Sequence, residues 1–269
     1  MGHINLKKKK VNFMKKTELL GKTIVLILLV FTCFTFLLIS CKGATGPAGA
    51  AGAPGAPGTE FKIDFQQGVY PTSNYTLASD TYIADSCPDT NYGQCQNLYV
   101  GVDTTVPVVY RAMLRFDLTL VTPSNVQVTN AYLTMNGSSA ADQVTVTAYP
   151  MLSQFTEGTG TCAGLDNSGI NIFATWIYPW ASTPGGNFSS QPMSNSVYFN
   201  SNIAFVPIVF NLDTSVIQGW IANPSANYGM LLKSENETTG SNYISFVSRE
   251  DTSYIITNRP KLTIYYKLP

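Results

Sequence analysis

Histidine is almost missing from this chain: among 269 residues only His3 is one, and it sits in a lysine-rich leader. With the leader removed, His-based catalytic triads, imidazole acid–base chemistry and His-ligated catalytic metals are excluded. No stretch carries a long 3.6-residue apolar period, so the fold is not built on amphipathic helices. A clustered basic face is lacking too. Seven of the 16 Lys and Arg residues and one of the 16 Asp and Glu residues lie in 1–40, which leaves 9 against 15 beyond it, a formal charge of −6. Nucleic acid calls for the opposite pattern and is not expected as a partner. The cysteines lack the paired-ligand spacing of a zinc knuckle.

What is present begins with that leader. Lys7, Lys8, Lys9, Lys10, Lys15, Lys16 and Lys22 precede an uncharged apolar run from Thr23 to Ile39. These are the basic and apolar regions of a secretory signal, although the run is also long enough for a membrane span. Leu37-Leu38-Ile39-Ser40-Cys41 resembles a bacterial lipobox, with Leu38 three before the cysteine and the small Ser40 just before it. The resemblance implies that residues 1–40 are a lipoprotein signal peptide and that Cys41 is lipidated. The product would be exported and held on the bacterial cell envelope, facing outward, through its membrane anchor.

Glycine then recurs at every third position from Gly43 to Gly58. That is the Gly-X-Y period of collagen, in which only glycine fits at the axis of three wound chains. Two readings of 41–60 stand: a short homotrimerising stalk, or a semi-extended linker. Both space a domain away from the lipid. Cys33 goes with the leader, so Cys87, Cys95 and Cys162 remain in an oxidising compartment. Cys87 and Cys95 bracket a short turn-rich loop, Pro88 to Gln94, and the expected disulfide joins them. Cys162 is left free or in competition for one of the two.

From Phe61 onward short apolar runs alternate with Asn, Gly, Pro, Ser and Thr clusters. Strands are expected near 81–84, 98–102, 108–118, 126–135, 143–149, 196–199, 206–210, 228–232, 244–248 and 262–267. Many short strands between turn signals give an all-β class, an antiparallel β-sandwich or jelly roll spanning 61–269. One short helix is expected at 214–221, capped by Asp213 and closed before Asn223-Pro224. The clearest strand is Arg111-Ala-Met-Leu-Arg-Phe-Asp-Leu118. Its alternation puts Ala112, Leu114, Phe116 and Leu118 on a core face, and Arg111, Met113, Arg115 and Asp117 on a wet face. Arg111 and Arg115 are then cross-strand ion-pair partners or a docking surface for an anionic or hydroxyl-rich ligand.

Four separated stretches carry a family resemblance: Asp80-Thr-Tyr-Ile83 with Asn91-Tyr-Gly93 and Leu98-Tyr-Val-Gly101; Arg111 to Leu118; Thr175-Trp176, Pro179-Trp180 and Pro184-Gly-Gly186; and Trp220, Tyr228-Gly229 and Arg259-Pro-Lys-Leu262. In this order the chain resembles the DNRLRE-domain family, also described as disaggregatase-related, and is similar to a carbohydrate-binding module family found beside alginate lyases. The six-letter string behind the family name is absent, and Phe155-Thr-Glu-Gly158 stands where members often show a Trp before the Glu. The resemblance implies a β-sandwich that binds polysaccharide or extracellular matrix glycan and has no catalytic residues of its own.

Trp176, Tyr178 and Trp180 form the densest aromatic stretch and are candidate sugar-stacking rings, the alternative being packing residues of the sandwich. Asp80 and Glu250 are a candidate pair for a structural Ca²⁺, a hard ion suited to carboxylate oxygen. Carboxylates suffice in number for glycoside hydrolysis, but nothing in the sequence sets two of them at a catalytic separation. The expected function is that of a cell-surface lipoprotein presenting a carbohydrate-binding sandwich. Its rivals are a structural or oligomerising surface protein without a glycan ligand and, behind that, a polysaccharide-degrading enzyme.

Overall fold

Alternation along 108–118 sets the architecture: among the described residues the main core lies on one face of this strand and a second apolar cluster on the other. The computed structural model describes residues 58–269 apart from 141–142, 164, 167–170, 181, 201–204 and 253–254. The leader, Cys41 and nearly all of the Gly-X-Y run therefore lie outside the described residues. No helix among the described residues is long and apolar enough to cross a membrane. In chain order the strands are β1 (Glu60–Gln66), β2 (Ala78–Ala84), β3 (Thr90–Asn91), β4 (Asn97–Asp103), β5 (Val108–Phe116), β6 (Gln127–Ala140), β7 (Val144–Pro150), β8 (Leu165–Asp166), β9 (Val197–Phe199), β10 (Pro207–Asn211), β11 (Met230–Ser234), β12 (Asn242–Val247) and β13 (Lys261–Lys267). One α-helix, α1 (Thr214–Ala222), lies between β10 and β11.

The pairing is antiparallel throughout, and the two layers are joined by β6. Its first part pairs with β13 and β10, and β13 in turn carries β1 at the edge. Its last residues, from Gly137, pair instead with β12, where a register shift between Ser245 and Phe246 turns the strand from one layer into the other. The second layer runs from β12 through β4 to β5, which is flanked by β2 on one side and by β11, β7 and β9 on the other. Leu133, Met135, Phe210, Leu262 and Ile264 of the first layer meet Leu98, Ala112, Leu114, Val146, Leu232 and Phe246 of the second in one buried core. Helix α1 closes one end. Asp213 accepts a hydrogen bond from Ser215 N, and Ile217, Trp220 and Ile221, spaced three and four apart, point into the core.

The all-β class and the capped helix agree with the sequence reading, and so do the strands it placed, within a few residues. Strand β1 is an addition: it pairs in full register with the last strand, Ile63 opposite Ile264. The wet face of β5 requires correction. Met113, placed there by alternation, is fully buried, and it belongs to a second apolar cluster with Ile83, Met151, Phe155, Ala174, Trp180 and Leu231. The strand-poor excursion after β7 folds back over this side of the sheet, so the middle of β5 is buried on both faces.

Candidate functional site

The excursion that covers β5 contains the aromatic stretch. Trp180 is 4% exposed; its Nε1 donates to Thr175 O at 2.7 Å, and its ring packs into the second cluster. A ring sealed on both faces has no surface to offer a sugar, so Trp180 is a packing residue. Tyr178 is half-buried, and its backbone N–H donates to Thr175 Oγ1 at 2.9 Å while its carbonyl accepts from Thr175 N, closing the loop on itself. Trp176 is half-buried and lies beneath Arg111, whose guanidinium carbon sits 4.8 Å from the ring centroid.

Arg111 is fully engaged. Nε and Nη2 donate to the two carboxylate oxygens of Glu237 at 2.8 and 2.6 Å, and Nη1 donates to Gly185 O at 2.7 Å. Glycine is required at 185, because φ is +87° and an added Cβ would lie 2.4 Å from Arg111 Nη1. Arg115, one repeat along the same face, has neither an ion pair nor a hydrogen bond among the described residues; its guanidinium lies 6.0 Å from the Phe155 ring. It stands where two clefts meet, since both are lined by Arg115 and by its cross-strand partner Ser79. One cleft, of about 480 Å³, is lined further by Gln94, Gln154, Thr156, Glu157, Phe173 and Arg249. The other, of about 300 Å³, continues past Leu77 and Asp117 to Pro224 and Asn227.

The far wall of the larger cleft is held by a buried amide. Asn91 Nδ2 donates to Glu157 O and Ala174 O, at 2.6 and 2.9 Å, and Oδ1 accepts from Gly93 N and Gly160 N. All four hydrogen-bonding capacities of a side chain with no solvent exposure are thus spent on fixing this loop. The disulfide does the same work and overturns the expected pairing: Cys95 is joined to Cys162, and Cys87 is free and exposed. Gln94 N donates to Gly160 O at 2.6 Å, which draws the 160–162 loop against Cys95 at the mouth of β4. Cys95 itself is buried, whereas Cys87 is exposed.

Behind that wall lies a charged network. Arg249 donates to both oxygens of Glu157, at 2.8 and 2.5 Å, and its Nη2 is 2.7 Å from Glu250 Oε1. Asp80, fully enclosed, accepts from Ser248 Oγ and Arg249 N, each at 2.8 Å. Burial pushes Glu157 up to about 8 and Asp80 up to about 6, against the pull of Arg249 in both cases. Asp80 and Glu250, the pair suggested for a structural Ca²⁺, both meet Arg249, through its backbone N and its Nη2. The guanidinium of Arg249 supplies the positive charge between the carboxylates, Asp80 is already spent on neutral donors, and no cluster of three or more metal-ligating side chains occurs among the described residues.

Of the expected binding residues, Arg115 alone faces an open cleft with its charge unspent. Glu157, Arg249, Gln94, Gln154 and Asn91 were missed. They come from β3 and three loops that only the fold brings together, and the sequence signals were the Asn91-Tyr-Gly93 and Phe155-Thr-Glu-Gly158 strings at the family positions. The largest aromatic cluster was missed as well: Tyr82 stacks on Tyr92 at 4.3 Å and touches Tyr99 and Tyr110, contributed by β2, β4, β5 and the turn after β3.

The profile of carbohydrate-binding module family 96 matches residues 71–162, about a third of the chain. The matched segment holds β2 to β7, Asp80, Asn91, Arg111, Arg115, Glu157 and both disulfide cysteines, but not Trp176, Tyr178 or Trp180. A family of this kind supports carbohydrate binding by a non-catalytic module. No curated protein matches the chain.

Proposed function

We propose that this protein binds an acidic polysaccharide along the groove formed by the two clefts, with Arg115 as the central contact. The observation that carries the reading is the unspent guanidinium of Arg115 inside the segment that matches a carbohydrate-binding family. A guanidinium presents planar paired donors to a carboxylate or to two hydroxyls of a sugar ring. Gln94, Gln154, Thr156 and Thr159 line the same cleft with amides and hydroxyls that complement sugar hydroxyls, and Phe173 adds a ring at its margin. The cleft volumes fall in the range of small-ligand sites. On this reading the protein is a bacterial surface lipoprotein, anchored through Cys41 and spaced by its Gly-X-Y stalk, that holds matrix or cell-wall glycan without cleaving it.

The test is binding of the full chain to a polyuronate, measured by calorimetry at two salt concentrations. Charge-assisted hydrogen bonds of this kind contribute about 1.5–3 kcal/mol, so Arg115→Ala should weaken binding by about tenfold or more at an unchanged melting temperature. Binding equal to wild type would remove Arg115 from the site. Absence of glycan binding altogether would favour a structural or oligomerising surface protein. Anchoring is read in the same preparations: palmitate label that persists in Cys41→Ala would refute the lipid site.

A further inference from the structure

A second recess lies at the opposite edge of the same sheet, where the covering excursion does not reach. Among the described residues strand β9 pairs only with β7, and alternation along it buries Phe199 and turns Tyr198 outward opposite Thr145. Tyr198 is 57% exposed, an aromatic ring left in water beside a cavity of about 380 Å³. The walls are Gln143 and Thr145, the turn Ser234-Glu235-Asn236 after β11, and Asn242 at the start of β12.

The recess carries an oriented acceptor. Glu235 Oε1 accepts a short bond from Ser196 Oγ, and Thr147 Oγ1 shares its proton between Ser196 Oγ at 3.0 Å and Glu235 Oε1 at 3.1 Å, so hydroxyls from β7 and from the residue before β9 pin the carboxylate. Its Oε2 has no hydrogen bond among the described residues. Among the described residues no Lys or Arg lines the recess. Lys233 donates to Ser234 O at 3.2 Å and lies toward the Tyr149 ring and Glu237.

From this arrangement we propose a second carbohydrate subsite, specific for an uncharged sugar, in which the ring stacks on Tyr198 and a hydroxyl donates to Glu235 Oε2. Stacking uses the apolar face of a pyranose and the polarisable face of the tyrosine ring. A fixed carboxylate strengthens a hydroxyl donor's bond and repels a uronate. The two sites thus sort ligands by charge, Arg115 taking the anionic chain and Tyr198 the neutral one, and the second does not depend on the first being right.

Calorimetric titration of the full chain with a panel of neutral hexasaccharides derived from glucan, xylan and mannan tests this. At least one should bind, and Tyr198→Ala should weaken it about fivefold or more while Tyr198→Phe retains it. Glu235→Gln should weaken the same ligand and relieve the exclusion of its uronic-acid counterpart. Arg115→Ala should leave neutral binding unchanged. The subsite is overturned if no neutral hexasaccharide in the panel binds, if Tyr198→Ala binds as wild type, or if the loss follows Arg115→Ala instead. Tyr198 is a surface residue, so the melting temperature of these variants serves as the check that folding is intact.

Discussion

Arg111 and Arg115 occupy equivalent positions on one face of one strand, four residues apart, and meet opposite fates. Arg111 is locked by a carboxylate, a glycine carbonyl and an indole face, with both partners of its ion pair only 13% and 15% exposed. Arg115 has no ion pair or hydrogen bond among the described residues and lines the groove together with Glu157 and Asp117. The covering excursion locks Arg111 through Trp176 and Gly185, whereas beside Arg115 it walls an open cleft with Gln154 to Thr159 and Phe173, so one guanidinium became part of the packing and the other stands at a groove. Periodicity tells which side of a strand a residue faces; a segment far along the chain decides what lies above it.

The largest effect should come from the cover itself. Trp180→Ala empties the centre of the second cluster and removes the Nε1 bond to Thr175, and it should cost about 3–5 kcal/mol in denaturant unfolding. A loss below about 1 kcal/mol would mean that the cover is not packed on β5, and the contrast between the two arginines would lose its cause.

Next in size is the contrast between the arginines. Arg111→Ala leaves the largely buried Glu237 with only Lys233, 3.7 Å from its Oε2, and should cost about 2 kcal/mol or more. Arg111→Lys should recover little, because an ammonium cannot meet two carboxylate oxygens and the Gly185 carbonyl in one plane. Arg115→Ala should change stability by about 0.5 kcal/mol or less, as at an ordinary surface position. Equal losses at the two sites would break the comparison, since Arg115 would then have a structural partner of its own.

Much of the fold was legible from residues close together in sequence. Alternation in 108–118, Asp213 before the helix and the turn clusters each act locally, and the structure bears them out except at Met113, which the covering loop buries. What was not legible depended on distance along the chain. Cys95 was expected to join Cys87, eight residues away, yet it joins Cys162 across a separation of 67. The short turn-rich loop suggested closure, but ring size says nothing about which distant loop is folded against Cys95. Trp180 looked like a platform because aromatic density does not distinguish a ring that stacks on sugar from one that fills a core. The site was legible only in Arg115; Glu157, Arg249 and Asn91 meet through contacts that no local pattern encodes.

The last effect is a slope in pH rather than a single loss, and it concerns the third arginine, Arg249, which closes the groove beside Arg115. Glu157 titrates near 4.5 when unfolded and at about 8 when folded, and Asp80 near 3.8 and at about 6. A carboxyl whose folded value is raised binds its proton more tightly in the folded state. Its contribution is therefore fully present below the unfolded value and is lost as pH rises toward the folded one. Wild-type melting temperature should fall across pH 4 to 8 from these two groups. Glu157→Gln, which cannot titrate but keeps hydrogen-bonding capacity toward Arg249, should fall only to about pH 6, where Asp80 has finished, and run flat above it. The diagnostic window is pH 6 to 8. A wild-type profile as flat as that of the variant in this window would show that Arg249 holds Glu157 ionised, so that the groove beside Arg115 presents a neutralised ion pair at physiological pH rather than a protonated acid.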